Sequence, residues 1–69
     1  MTLYETCLEN DLEIDSHESD LYVKVTADSV PIVEAWVMAN PQFAKPTTFT
    51  DQNGAAWYDC PFVYDPWWT

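Results

Sequence analysis

Leu21-Tyr22-Val23-Lys24-Val25-Thr26, followed at once by Ala27-Asp28-Ser29-Val30-Pro31-Ile32-Val33, is the stretch whose reading decides the fold. The first six residues are β-formers in strict alternation. Leu21, Val23 and Val25 fall on one face, and Tyr22, Lys24 and Thr26 on the other, as in a half-buried strand. The period then changes. Asp28 or Ser29 is placed to cap a helix whose first turn tolerates Pro31, because the N–H that proline lacks would have no intrahelical partner there. Ile32, Val33, Ala35, Trp36, Val37 and Met38 continue the helix, and Asn40-Pro41 ends it, since the residue before proline is pushed out of the α region. With Glu34 as its one charge, this helix must be covered over most of its circumference, by the rest of the fold or by a partner.

Downstream, Thr47–Thr50 and Ala55–Asp59 flank Asp51-Gln52-Asn53-Gly54, whose Asn-Gly pair signals a β-hairpin. The ending from Pro61 to Thr69 holds Pro61 and Pro66 and cannot be a central strand along its length. It reads as an extended aromatic arm. Upstream, Tyr4, Leu8 and Leu12 recur at helical spacing beside Glu5, Glu9 and Glu13, which predicts a helix over Leu3 to Leu12. A rival pattern, Leu12-Glu13-Ile14-Asp15, alternates like a short strand. The expected architecture is a small α+β domain with a roughly three-stranded, mainly antiparallel sheet, helical cover on one face and the aromatic C-terminal arm. Residues 1–20 form an acidic N-terminal segment, 21–60 the α+β core and 61–69 the tail.

Sixty-nine residues allow one domain. A chain this short must offset its conformational entropy with large apolar side chains, and four Trp, four Tyr and three Phe supply them. Trp57 and Phe62 are expected in the core. The net charge is -10, with Lys24 and Lys45 the whole basic complement. Such a chain is a poor ligand for nucleic acid or an anionic membrane, both of which call for clustered Lys or Arg. Its natural partners are basic protein surfaces or metal cations. Met1–Asp20 has neither a basic nor an apolar signal region, so a cytoplasmic location is expected, with Cys7 and Cys60 as free thiols.

The sequence points away from catalysis and from any cofactor. Cys7, His17, Cys60 and the carboxylates are potential metal ligands, but no closely spaced pair of the C-x2-C kind occurs. Asp11-Leu12-Glu13-Ile14-Asp15-Ser16-His17 imitates the start of a calcium loop, yet it lacks the sixth-position glycine and has Tyr22 where the twelfth-position glutamate belongs. The single histidine reads as a surface residue. The single glycine excludes a phosphate-cradling loop.

A binding surface remains. Glu5, Glu9, Asp11, Glu13, Asp15, Glu18 and Asp20 all lie in the first 20 residues, with no Lys or Arg among them. On a helix, carboxylates four residues apart are separated by about 6 Å of rise, comparable to phosphate spacing along a nucleic-acid strand. Such a row suits the basic groove of a nucleic-acid-binding protein; it also suits a plain solvated face. Trp67 and Trp68 are the second candidate contact, since Trp is enriched at interface hot spots, unless they close the fold against Trp36.

His17-Glu18-Ser19-Asp20-Leu21-Tyr22-Val23 and the ending Trp57-Tyr58-Asp59-Cys60-Pro61-Phe62-Val63-Tyr64-Asp65-Pro66-Trp67-Trp68 resemble segments of small uncharacterised proteins encoded by tailed phages and prophages. The resemblance carries no active site. What it implies is a context in which small acidic proteins block a host nuclease, restriction system, CRISPR effector or polymerase, some by resembling DNA in charge. The leading expectation is therefore an inhibitor or modulator of a host protein in the host cytoplasm. The alternative is a structural or assembly protein that forms homo-oligomers through its aromatic tail.

Overall fold

The computed structural model describes residues 2–17, 20–43 and 45–61. The elements run α1 (Leu3–Glu9), β1 (Ile14–His17), β2 (Asp20–Lys24), α2 (Ser29–Ala39), β3 (Thr47–Thr50) and β4 (Ala56–Pro61). All four strands join one antiparallel sheet in the order β1-β2-β4-β3. The class is α+β, but the sheet has four strands rather than three. The extra strand is β1, whose residues pair with β2 from Ile14↔Val23 to His17↔Asp20.

The N-terminal helix is shorter than its periodicity suggests. Thr2 caps it reciprocally with Glu5: Thr2 Oγ1 accepts from the Glu5 N–H at 3.1 Å, and Glu5 Oε1 accepts from the Thr2 N–H at 2.9 Å. At the other end Asp11 takes a left-handed conformation, φ 55°. The Leu12 N–H then reaches the Cys7 carbonyl at 3.0 Å, and the Asp11 N–H the Leu8 carbonyl at 3.3 Å. These two bonds form the Schellman stop, with Asp11 where glycine is usual. Because the helix ends at Glu9, Glu13 is not on it. The buried face is Leu3 and Cys7, not a Tyr4-Leu8-Leu12 stripe, and Leu8 is 55% exposed.

Strand β2 buries Leu21 and Val23 and turns Tyr22 and Lys24 to the opposite face, as the alternation requires. The Val25 N–H still bonds the Ala56 carbonyl at 2.9 Å. Neither Asp28 nor Ser29 caps α2 in the expected way. Asp28 is already helical and makes no side-chain cap. Thr26 takes that role: its Oγ1 accepts from the Ser29 N–H at 3.0 Å while its own N–H donates to Ser29 Oγ at 2.8 Å. The buried Ser29 hydroxyl also donates to the Lys24 carbonyl at 2.6 Å, tying the helix start to the strand end. At the far end, Asn40 Nδ2 donates to the Trp36 carbonyl at 2.8 Å.

The β3–β4 hairpin forms around Asp51. Asp51 Oδ1 accepts from the Asn53 and Ala55 N–H groups, and the Gly54 N–H closes the turn onto the Asp51 carbonyl at 3.0 Å. Gly54 sits at φ +83°, a conformation a Cβ would strain. Strand β4 lies between β2 and β3 and runs on through Cys60 to Pro61, so the strand includes the first residue assigned to the tail. The Val25–Ala56 bond turns the even residues of β4 toward β2 and the odd ones toward β3. The N–H that Pro61 lacks therefore points beyond Thr47, the end of β3, and no ladder bond is lost. The aromatic arm beyond Pro61 lies outside the described residues.

Both helices cover the same side of the sheet. The core there is Leu3, Cys7, Leu21, Val23, Val33, Trp36 and Cys60, with Tyr4, Leu12, Ile14, Val37, Phe43 and Tyr58 packed against it. Trp36 stacks on Phe43, ring centroids 5.5 Å apart.

Candidate functional site

The sheet register sorts the polar and aromatic side chains onto the face away from the helices. Across the four strands, Asp15, Tyr22, Asp59 and Thr47 align in one row. Lys24, Trp57 and Phe49 align in the next. Trp57 thus belongs to the open face rather than to the core. Its inward-pointing neighbours in β4 are Tyr58 and Cys60. Trp57 is fixed by its indole Nε1–H, which donates to Asp51 Oδ2 at 2.8 Å. Tyr22 and Phe49 meet edge to face at 4.9 Å.

The candidate carboxylates up to Asp15 follow α1, the link after it and β1. Glu9 is exposed at the end of α1, and Asp11 occupies the helix stop. Glu5 is exposed but commits one oxygen to the Thr2 cap, which holds its carboxyl below the usual carboxylate range. Glu13 meets Lys24 at 3.6 Å, a surface pair of the kind worth at most about 1 kcal/mol. Asp15 Oδ1 accepts from the Ser16 N–H at 2.8 Å. Of the carboxylates expected on one helical face, only Glu5 and Glu9 share it; Glu13 has moved to the approach to β1. Glu18, Trp67 and Trp68, also read as contacts, lie outside the described residues.

Asp20 stands apart from this row. It opens β2 and shares a hydrogen bond with Asp59 of β4. Burial, that bond and the negative charge of Asp20 push the Asp59 carboxyl up to about 6. Asp59 Oδ1 is shielded from water and has no hydrogen-bond partner among the described residues. Asp59 is therefore an acidic residue of this surface that sequence reading missed. Its pairing with Asp20 is visible only once the β2–β4 register is known.

The thiols are not placed for chemistry. Cys7 and Cys60 are free and fully buried; burial pushes Cys7 up to about 11, and burial together with neighbouring Cys7 pushes Cys60 up to about 12. A thiol held protonated in this way is a poor nucleophile and a poor ligand at neutral pH. No group of three or more metal-ligating side chains occurs among the described residues. No helix among them is long and apolar enough to cross a membrane. Comparison with protein-family models, curated proteins and solved structures finds no significant match to this chain.

Proposed function

We propose that this chain is an acidic protein-binding module that occupies the basic, nucleic-acid-binding surface of a larger protein and thereby inhibits or modulates it. The observation that carries this reading is the one-sided placement of charge. Glu9, Asp11, Glu13 and Asp15 are exposed along α1, β1 and the link between them, and the single cation met there among the described residues is Lys24. A negative rim of this kind raises the encounter rate with a basic partner and sets selectivity. Tyr22, Phe49 and Trp57, on the adjoining open face, supply apolar area for lasting contact.

A pull-down from bacterial lysate, washed at low and at high salt and followed by competition with a DNA duplex, tests the proposal. The expected result is a nucleic-acid-binding enzyme retained at low salt, released at high salt and displaced by the duplex. Glu9→Gln, Glu13→Gln and Asp15→Asn combined should weaken its retention at least about tenfold, since each neutralises a contact to a basic groove. A partner whose retention ignores salt, duplex and these substitutions would refute charge mimicry.

A further inference from the structure

The two edges of the sheet are built differently. The β1 edge carries Glu13 and Asp15, and charges on an edge strand discourage another strand from adding to it. The β3 edge, Thr47-Thr48-Phe49-Thr50, carries no charge, every residue in it is exposed, and among the described residues nothing pairs with its outer side. Its hydrogen-bonding parity is fixed. The Asp51 N–H bonds the Ala55 carbonyl at 2.9 Å, so Phe49 and Thr47 also point their backbone groups at β4, and Thr48 and Thr50 point theirs outward.

Between α2, Tyr58 of β4 and the approach to β3 lies a mainly apolar groove of about 360 Å³, lined by Val33, Val37, Met38, Pro46 and Tyr58, with Glu34 and Lys45 as its charged residues. Met38, on its α2 wall, is 81% exposed. A bare strand edge with a mainly apolar groove beside its start is an arrangement suited to strand addition, in which backbone bonds give affinity and neighbouring pockets take side chains.

We propose that β3 pairs antiparallel with β3 of a second copy of this chain, about a two-fold axis at Thr48, to make one continuous eight-stranded sheet. The sequence around β3 is self-complementary in that register. Lys45 stands opposite Asp51 of the second copy, Pro46 opposite Thr50, and Thr47 opposite Phe49. Each Thr48 N–H donates to the other Thr48 carbonyl, and each Thr50 N–H donates to the opposite Pro46 carbonyl. The N–H that Pro46 lacks costs no bond that is present in the free chain. The two grooves then flank the new ladder on its helix side, each with Met38, Glu34 and Lys45 in its walls. The acidic β1 edges do not oppose the pairing, because they end up seven strand spacings apart, about 34 Å, or some four Debye lengths at physiological salt.

The test is the mass of the full chain by light scattering after gel filtration, at concentrations from about 1 µM to about 1 mM and physiological salt. The expected result is twice the 8.0 kDa of one chain at the upper end. Lys45→Glu, which sets two like-charged pairs across the interface, should raise the dissociation constant roughly tenfold. Thr48→Cys should cross-link under mild oxidation, since opposed residues of a hydrogen-bonded antiparallel pair lie within disulfide reach, whereas Ala27→Cys should not. A monomer throughout the range overturns the proposal. So does a dimer indifferent to Lys45→Glu, or one that cross-links no better through position 48 than through position 27.

Discussion

Replacing Asp59 with asparagine should stabilise this protein at neutral pH, against the usual cost of changing a half-buried residue. In the folded chain the Asp59 carboxyl titrates near 6 instead of 3.8, because it is partly withdrawn from water and hydrogen-bonded to Asp20. A folded-state value above the unfolded one means that this group's contribution is fully present below about pH 4 and is lost as pH rises through 6. At pH 7 both carboxylates are charged and face each other. Each tenfold change in proton affinity is worth about 1.4 kcal/mol, so a rise from 3.8 to about 6 sets a ceiling near 3 kcal/mol. Solvent screening of a partly exposed pair reduces that to about 1 kcal/mol. The asparagine side chain would be neutral at every pH and could donate its amide hydrogen to Asp20 as the protonated acid does. Thermal melts of both proteins from pH 4 to 8 should coincide near pH 4 and separate above pH 6. Asp59→Asn should then melt about 4–8 °C higher, the range expected for 1 kcal/mol in a domain of this size. A gap that does not change with pH, or a variant that is less stable at pH 7.5, would refute the shared-proton argument.

Other substitutions probe the remaining devices of the fold. Thr2→Ala removes half of the reciprocal cap on α1 and should cost about 1 kcal/mol in urea unfolding. Asp11→Gly relieves the left-handed helix stop and should add roughly 0.5 kcal/mol by the same measurement, provided its backbone bonds are kept. Ser29→Ala leaves the Lys24 carbonyl and the Thr26 N–H without their buried partner, and a loss of about 1–3 kcal/mol is expected. Cys7 and Cys60 should resist a thiol reagent in the native protein at pH 8 and react fully in denaturant, because both are buried and held protonated. Rapid labelling of the native protein would contradict that.

Much of the fold is legible wherever one local signal dominates. The Leu21–Lys24 alternation, the break at Asn40-Pro41 and the Asn53-Gly54 turn each point to a single structure, and the strand, the helix end and the hairpin follow them. Failures occur where two patterns overlap. Leu12 completes a helical spacing with Leu8 and also starts an alternation with Ile14. Local propensity does not separate these readings; pairing of Ile14 with Val23 does, and that contact is tertiary. The helix stop is hidden for a different reason, since Asp11 takes a glycine's role with no glycine in the sequence to announce it. Size alone misplaces Trp57 in the core, whereas the strand's period of two sends Tyr58 and Cys60 inward and leaves Trp57 with Asp59 on the other side. The acidic residues can be named from sequence, but not their geometry. Asp59 joins Asp20 only through a register that spans the sheet.

The placement of these carboxylates explains how so acidic a chain can fold with so small a core. Distributed evenly, a net charge of -10 would set like charges opposite one another in every strand pair, at a cost for each. Instead, Glu13 is answered by Lys24 across β1 and β2, Glu5 is absorbed into a helix cap, and the charge of Asp51 is stabilised locally by two backbone N–H groups and the Trp57 indole. The Asp20–Asp59 contact is where that arrangement fails, and there the proton affinity rises in response. Of the exposed carboxylates left over among the described residues, Glu9, Asp11 and Asp15 lie on β1 and its approaches, at the edge farthest from β3, while Asp28 and Glu34 belong to α2 and its start. The same segregation leaves the β1 edge suited to a basic partner and the strand residues of β3 uncharged, so the two proposed surfaces lie on opposite edges of the sheet.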